Sequence, residues 1–356
     1  MDVGSELQVA ETIDRIGRPV EARIDALLTT EVERWSSLDP SLIDPLESLR
    51  TFVLAGGKRL RPAFAYWAFL AAGGDPLDPS IIDVGAALEL LHSFALIHDD
   101  VMDGSRSRRG SDAIHARFEK NHLAHDWRGE PRRFGEGVAI LVGDMAFVYA
   151  DFLMGGTSAT ARDVFSELRV ELNVGQYLDL SATVRADVSP AMARKIAQYK
   201  SGKYTVERPM HLGAALANRF DDLSEPFSAY GAPVGEAFQL RDDVLGAFGD
   251  QQLTGKPVGG DLREGKPTAL LAIAVDRAND TQAKLLTERY GAPDLTDDEV
   301  NELQQVIEDT GARTELETAI AGLVAQGLAA LDDLRMPSQA HGALIQLAHF
   351  VAGRSY

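Results

Sequence analysis

Cysteine is absent from the 356 residues, which rules out disulfides and thiolate metal sites and fits a reducing compartment such as the cytoplasm. The first residues lack a basic segment followed by an apolar one, so no secretory signal is expected. No uninterrupted run of about 18 uncharged apolar residues occurs, so no integral membrane segment is expected. Basic residues are also in short supply: 35 Lys and Arg stand against 54 Asp and Glu, a formal charge of −19. Binding a phosphate backbone needs basic surface, so this balance argues against nucleic acid as a main partner. It also means that an anionic substrate must be drawn in by local cations, from side chains or metals.

Strict two-residue alternation is scarce, which leaves little room for half-buried strands. The apolar pattern is helical nearly everywhere. Val84, Ala87, Leu88, Leu91 and Ala95 recur at three- and four-residue steps within Ser80–Asp103. Segments around 138–155, 161–183, 189–218, 225–248, 267–290 and 312–334 read the same way. Thr296 followed by Glu299 has the form of a capping box opening another helix. Residues 121–137, rich in charge and glycine, are expected to form a mobile surface loop. No Pro/Ser linker and no internal repeat divides the chain. The expectation is one all-α domain, residues 1–356.

Chemistry concentrates in LIHDDVMDGSRSRRG, Leu96–Gly110. Asp99 and Asp103 are four residues apart, hence on one helical face, with Asp100 beside them. Carboxylates so placed repel unless a cation lies between them, and hard oxygen ligands of this kind suit Mg²⁺. Taken singly, such a pair is as readily an ordinary acidic helix face. A second pair, Asp242 and Asp243 in FQLRDDVLGAFGD, also follows an apolar helical run, with Gln239 pointing the same way. Two acidic walls facing one cavity and bridged by metal to a polyanion account for both. The cations complete this reading: Lys58, Arg59 and Arg61 in GGKRLRP, Arg108 and Arg109 after the first acidic pair, Lys200, and Lys256 and Lys266 after the second. Guanidinium and ammonium groups are the usual binders of phosphate oxygens.

GGKRLRP, LIHDDVMD with SRSRRG, GQYLDL, YKSGKYT, FQLRDD and GKPVGGDLREGKPT occur in the order found in the trans-isoprenyl diphosphate synthases, the polyprenyl synthetase family. The chain resembles these enzymes over roughly residues 45–275, and most resembles the short-chain bacterial type that makes farnesyl or geranylgeranyl diphosphate. The resemblance implies an all-α bundle around a deep central cavity, assembled as a homodimer. It implies Mg²⁺ as cofactor, about three ions bound with the allylic diphosphate. The implied partners are isopentenyl diphosphate and a dimethylallyl, geranyl or farnesyl diphosphate starter.

By the same resemblance, Asp99 and Asp103 are the ligands of the first metal cluster, supported by Asp100. Asp242 is the main ligand of the second, with Asp243 nearby. Lys58, Arg61, His92 and Arg109 match positions that hold isopentenyl diphosphate. Arg108, Lys200, Lys256 and Lys266 match positions that grip the allylic diphosphate. Gln176 and Asp179 line the same cavity in relatives. The Lys200 carbonyl, the Ser201 hydroxyl and Gln239 are implied to stabilise the developing carbocation. Outside the motif, His92 would read as a satisfied core histidine.

Two positions depart from the family pattern. Gly246 stands where a third aspartate is common in the second cluster, and Asp250 lies too far along the helix to replace it simply. Ser201 stands where threonine is commoner, which keeps the hydroxyl. For product length, Phe94 lies five residues before Asp99 and the small Ala95 four before it. One aromatic over a small neighbour, with no insertion in DDVMD, resembles enzymes forming the C20 product. Competing readings are a terpene cyclase, an HD-type phosphohydrolase built on His98-Asp99, and a non-catalytic partner subunit. A cyclase has no need of a second diphosphate site, the phosphohydrolase lacks supporting histidines, and a dead subunit would be expected to lose an acidic cluster or the basic groups.

Overall fold

The architecture, described from a computed structural model for residues 3–185, 189–249 and 259–354, is built almost wholly of helices. Helix α1 (Val3–Ser36) and a 3₁₀ turn (Pro40–Leu42) lead into α2 (Ile43–Leu54), α3 (Leu60–Ala71) and α4 (Ser80–Asp103). A two-stranded hairpin (β1 Ser107–Arg108, β2 Ser111–Asp112) precedes α5 (Ile114–Ala124), α6 (Pro131–Met154) and α7 (Ala159–Arg185). Then come α8 (Pro190–Ile196), a π-helical segment (Ala197–Glu207), α9 (Arg208–Leu216) and α10 (Phe220–Phe248). The remainder comprises α11 (Gly260–Glu264), α12 (Ala269–Arg277), α13 (Asp280–Arg289), α14 (Asp297–Asp309), α15 (Ala312–Asp332) and α16 (Ser338–Gly353).

One hydrophobic cluster takes residues from α1 through α16, with Phe64, Phe69, Phe165, Phe227 and Tyr230 among its largest fully buried members. Helix α4 packs along α6, and α10 lies against the π segment and α15. The apolar steps anticipated along Ser80–Asp103 do face the interior: Val84, Ala87, Leu88 and Leu91 are fully buried. Tyr230 keeps its hydroxyl satisfied by donating to the Leu344 carbonyl at 2.7 Å, which ties α10 to α16.

Several expected segments take a different form. Residues 121–137 are mostly helix, leaving only residues 125–130 between α5 and α6. Pro131 starts α6 at a position where its missing N–H costs nothing. Trp127 stacks on His125 at 5.0 Å and packs edge-on against Phe134 at 5.4 Å, pinning the short connection. The pattern over 267–290 is broken into α12 and α13 by Ala278–Asn279, where Asn279 makes a complete capping box. The capping box at Thr296 and Glu299 is present as read.

Helices α4 and α6 are long and apolar enough by composition to cross a membrane, a property that scanning for uninterrupted apolar runs did not reveal. In α4 most of that stretch is buried within the fold, 61%, whereas in α6 the share is 39%. Helix α6 therefore leaves an apolar face uncovered.

Candidate active site

The C-terminal half of α4 turns one face toward a cavity, bringing His92, Ala95, Leu96 and Asp99 to its wall. The cavity has two lobes, of about 320 and 390 Å³, which share Leu96, Asp99, Arg108, Lys200, Ser201, Asp242 and Arg354. Helix α4 ends at Gly104, whose positive φ of 67° suits a residue without Cβ. The chain then enters the hairpin, where Arg109 and Gly110 both have positive φ, 51° and 75°. That is the geometry of the tight turn that matches strand twist. For arginine it is strained, and strain of this kind collects at functional sites. The Arg109 guanidinium donates to the Gly56 carbonyl at 2.5 Å, joining the hairpin to the loop that carries Lys58.

The first acidic wall is held by cations. Asp99 accepts from Lys200 Nζ at 3.1 Å and Gln176 Nε2 at 3.0 Å, with Arg108 at 3.6 Å. Burial opposes its ionisation, but Lys200, Lys266 and Arg108 outweigh burial and hold its pKa below the usual range. Asp103 goes the other way: burial first, then the Asp99 charge, pushes it up, and Lys266 lies 3.7 Å away. Asp100 is almost wholly buried and accepts two nitrogens of Arg108, at 2.7–2.9 Å. Its geometry is that of a brace for Arg108 rather than of a cavity-facing ligand.

The second wall is α10, which presents Gln239, Asp242 and Asp243. Asp243 accepts from Gln239 Nε2 at 2.8 Å and from the Ala269 N–H at 3.1 Å. Burial raises its pKa to about 8, ahead of the opposing Gln239 bond and the nearby Asp261 charge. Asp242 is engaged by Arg354. At Gly246 the absent side chain has a physical cause: a Cβ there would overlap the Asp261 carboxylate. Asp261 thus brings a carboxylate to the place beside this turn of α10 where the family's third aspartate is missing. Asp250 and Lys256 lie outside the described residues.

Between the walls runs the π segment, carrying Lys200, Ser201, Tyr204 and Thr205. π-helical turns are rare and gather at functional sites. Glycines let it approach its neighbours: a Cβ on Gly175 would run into the Lys200 backbone nitrogen, and one on Gly235 would lie 2.6 Å from the Gly202 carbonyl oxygen. Lys200 reaches Asp179 at 2.5 Å as well as Asp99, so its ammonium stays charged despite burial.

The other lobe is lined by Lys58, Arg61, His92, Arg108, Arg109 and Arg354. Arg61 donates to Thr205 at 2.9 Å and lies 4.0 Å over the Tyr204 ring, yet its Nε is buried with no partner among the described residues. Orphaned buried donors in a cationic cavity point to an anionic ligand. His92 meets Tyr204 Oη at 3.0 Å; burial, then Arg61 and Arg109, keeps it neutral. Burial, then the charge of Arg354, lowers Lys58 to about 8. Arg59, in the same motif, turns away from this task and braces the core through Glu89 at 2.5 Å and Glu21 at 2.9 Å. Of the product-length pair, Ala95 lines the cavity, while Phe94 packs on Phe147 of α6 at 4.8 Å and on His98 at 4.6 Å.

Sequence reasoning missed Asp261 and Arg354. Asp261 had a signal, an acidic residue inside the quoted motif that carries Lys266. Arg354 had none, being a single arginine in VAGRSY.

The sequence pattern described as Polyprenyl synthetase matches residues 45–309. The chain belongs to the polyprenyl synthetase family. Its members include a short chain isoprenyl diphosphate synthase of Methanothermobacter thermautotrophicus, to which the chain is 31% identical over 91% of its length and 94% of the relative's. A (2E,6E)-farnesyl diphosphate synthase of Mycobacterium tuberculosis is 32% identical, over 84% of this chain and 80% of that one. In structure, the chain is similar to a geranylgeranyl pyrophosphate synthase from Corynebacterium glutamicum, complexed with isoprenyl diphosphate and magnesium: TM-score 0.92, 37% identity, 96% of this chain and 99% of that one. The protein is a prenyltransferase of the short-chain trans-isoprenyl diphosphate synthase family, with the all-α fold of that family.

The donors present suit magnesium. Mg²⁺ takes one or two carboxylates and completes its shell with substrate phosphate and water, so a ready-made cage is not required. Among the described residues no three His, Asp or Glu side chains are already gathered as a metal cluster. Lys200, Lys266, Arg108 and Arg354 instead compensate the carboxylates, the role that divalent cations would share.

Proposed function

We propose that this enzyme joins isopentenyl diphosphate to an allylic diphosphate, head to tail, and that its main product is geranylgeranyl diphosphate (C20). The observation that carries the reading is the two-lobed cavity lined by Asp99 on one wall and Asp242 on the other, with a cluster of basic groups between them. Mg²⁺, three ions in the family pattern, would be held by Asp99, Asp103 and Asp242 and supplies Lewis-acid neutralisation of the leaving diphosphate.

The protein's own groups do the rest. Arg108, Lys200 and Lys266 hold the allylic diphosphate, and Lys256 is assigned with them on the family motif. Lys58, Arg61 and Arg109 hold the isopentenyl diphosphate, with neutral His92 as a hydrogen-bonding neighbour. The allylic C–O bond breaks, and its electron pair leaves with the diphosphate. The isopentenyl double bond supplies the pair that forms the new C–C bond, and a proton is lost to the departed diphosphate. The Lys200 carbonyl, Ser201 hydroxyl and Gln239 side-chain oxygen turn fixed dipoles toward the transient carbocation. Gln239 donates its amide N–H to Asp243, which fixes that side chain.

For the C20 length, small Ala95 lines the cavity wall, and Phe94, packed on Phe147, is taken as the aromatic floor that stops the growing chain. The uncovered apolar residues of α6 and α7, among them Leu141, Val148, Phe152, Val170 and Tyr177, support a homodimer.

The test is product analysis after incubation with Mg²⁺, isopentenyl diphosphate and, separately, dimethylallyl, geranyl or farnesyl diphosphate. A C20 product from most starters is expected, with Phe94→Ala lengthening it. A wild-type product stopping at C15 would retain prenyl transfer and reject the depth argument. No elongation from any starter would reject the reaction itself.

A further inference from the structure

Glu171 of α7 is buried, yet it lines neither lobe of the cavity. Its carboxylate accepts from two nitrogens of Arg208, Nε at 2.7 Å and Nη2 at 2.8 Å, and from Lys203 Nζ at 2.7 Å. Burial opposes its ionisation, but these bonds outweigh burial and hold its pKa below the usual range. Lys203 belongs to the π segment and Arg208 opens α9, so the two cations stand five positions apart. In an α-helix such residues point about 140° away from each other, which sets them on different faces. A π turn closes i→i+5 and brings them round to nearly the same face. The backbone agrees, because the Arg208 N–H donates to the Lys203 carbonyl, an i→i+5 bond. Glu171 thus grips the very pair of residues that the π winding makes neighbours. The same face of α7 meets the segment twice more. One turn on, Gly175 admits the Lys200 backbone, and a turn beyond it Asp179 accepts from Lys200 Nζ at 2.5 Å.

We propose that Glu171 is a positioning residue for prenyl transfer: by clamping Lys203 to Arg208 it selects π over α winding, and so fixes where Lys200 and Ser201 stand in the cavity. Relaxation of the segment to α winding would part the clamped pair and rotate Lys200 relative to α9. Its ammonium would then leave the place between Asp99 and Asp179. Glu171 touches no reacting atom and acts only through the backbone of the segment. This role rests on the prenyl-transfer reading, which gives Lys200 the allylic diphosphate.

The experiment is a double-variant cycle on the full-length protein, read by initial rates with Mg²⁺ and isopentenyl diphosphate. The second substrate is whichever of dimethylallyl, geranyl and farnesyl diphosphate the wild type elongates best. Wild type, Glu171→Gln, Lys200→Ala and the double variant are compared, each checked for folding by circular dichroism. Glu171→Gln keeps the shape and loses the charge. Its kcat/KM for the allylic substrate is expected to fall by about a hundredfold, the cost of misplacing a catalytic group by about 1 Å. Lys200→Ala is expected to cost less in that background than in wild type, by about fivefold or more, because Lys200 has already lost its place. Groups that act as a unit are non-additive in this way, whereas independent effects multiply. A salt bridge that only stabilises the fold lowers the melting temperature and leaves the two costs multiplying. That result, or an unchanged kcat/KM in folded Glu171→Gln, would overturn the proposal. Should Glu171→Gln not fold, Lys203→Met replaces it in the cycle, removing one arm of the clamp while Arg208 stays on Glu171; multiplying costs there sink the idea equally. A wild type that elongates an allylic diphosphate but gives multiplying costs loses this inference only, whereas one that elongates none loses the prenyl-transfer reading.

Discussion

Lys58 and Asp243 show how burial turns ordinary side chains into pH-sensitive ones. Burial and the nearby Arg354 charge lower the Lys58 pKa to about 8, so its ammonium is charged below that pH and neutral above it. If Lys58 holds isopentenyl diphosphate, the KM for that substrate should rise between pH 7 and 9. The Lys58→Arg variant, whose guanidinium stays charged throughout, should flatten the rise; initial-rate profiles at saturating allylic substrate read both. Asp243 has its pKa raised by burial to about 8, against an ordinary value near 3.8. Between those values the folded protein binds more protons than the unfolded chain, so this residue's contribution falls as pH rises from about 4 to 8. Asp243→Asn should remove that loss: melting of the metal-free protein in EDTA should show the variant gaining on wild type from pH 5 to pH 8. A constant difference would contradict the assignment. Asp99 became readable as a metal-ligand candidate only with the second acidic pair, the cations and the motif order beside its spacing; that Asp100 braces Arg108 was not readable, because both choices satisfy the same helix.

At the scale of elements, the π segment sets where Lys200 and Ser201 point. Its apolar pattern blends into the helices on either side, so 189–218 reads as one helix and the change of winding is invisible in the sequence. The close contacts at Gly175 and at Gly202–Gly235 make it possible. Gly175→Ala drives a methyl into the Lys200 backbone, and overpacking of this kind costs about 1–3 kcal/mol. The expected result is a lower melting temperature and a kcat reduced by about a hundredfold through misplacement of Lys200. Unchanged kcat in a folded variant would show that the segment absorbs the shift elsewhere. Gly246 illustrates the reverse case: it was readable as a departure from the family, but only the fold shows Asp261 filling the space.

At the scale of the molecule, α6 presents Leu141, 63% exposed, and Phe152, 67% exposed, to the outside, with Val170 and Tyr177 of α7 exposed nearby in the chain. Apolar surface of this extent is costly in water, about 25 cal/mol per Å² of what a partner would cover. The expected outcome of sedimentation-velocity analysis is a dimer, with a Leu141→Asp/Phe152→Asp variant shifted to monomer. A wild-type monomer at all concentrations would reject the homodimer. The same face explains why α6 reads as membrane-compatible by composition while α4, of similar hydropathy, is mostly buried within the fold.

The amino-acid sequence by itself determined the helical class, the two acidic pairs, the basic groups and, through motif order, the family. Each depends on residues close together in the chain, where periodicity and spacing carry the information. Tertiary structure decided which charges meet. Lys200 pairs with Asp99 across 101 positions and Arg354 with Asp242 across 112, separations over which no local pattern can speak. It also decided how neighbours differ: both Arg59 and Arg61 border the cavity, but Arg59 spends its guanidinium on Glu89 and Glu21, whereas Arg61 bonds Thr205 and keeps its Nε without a partner among the described residues.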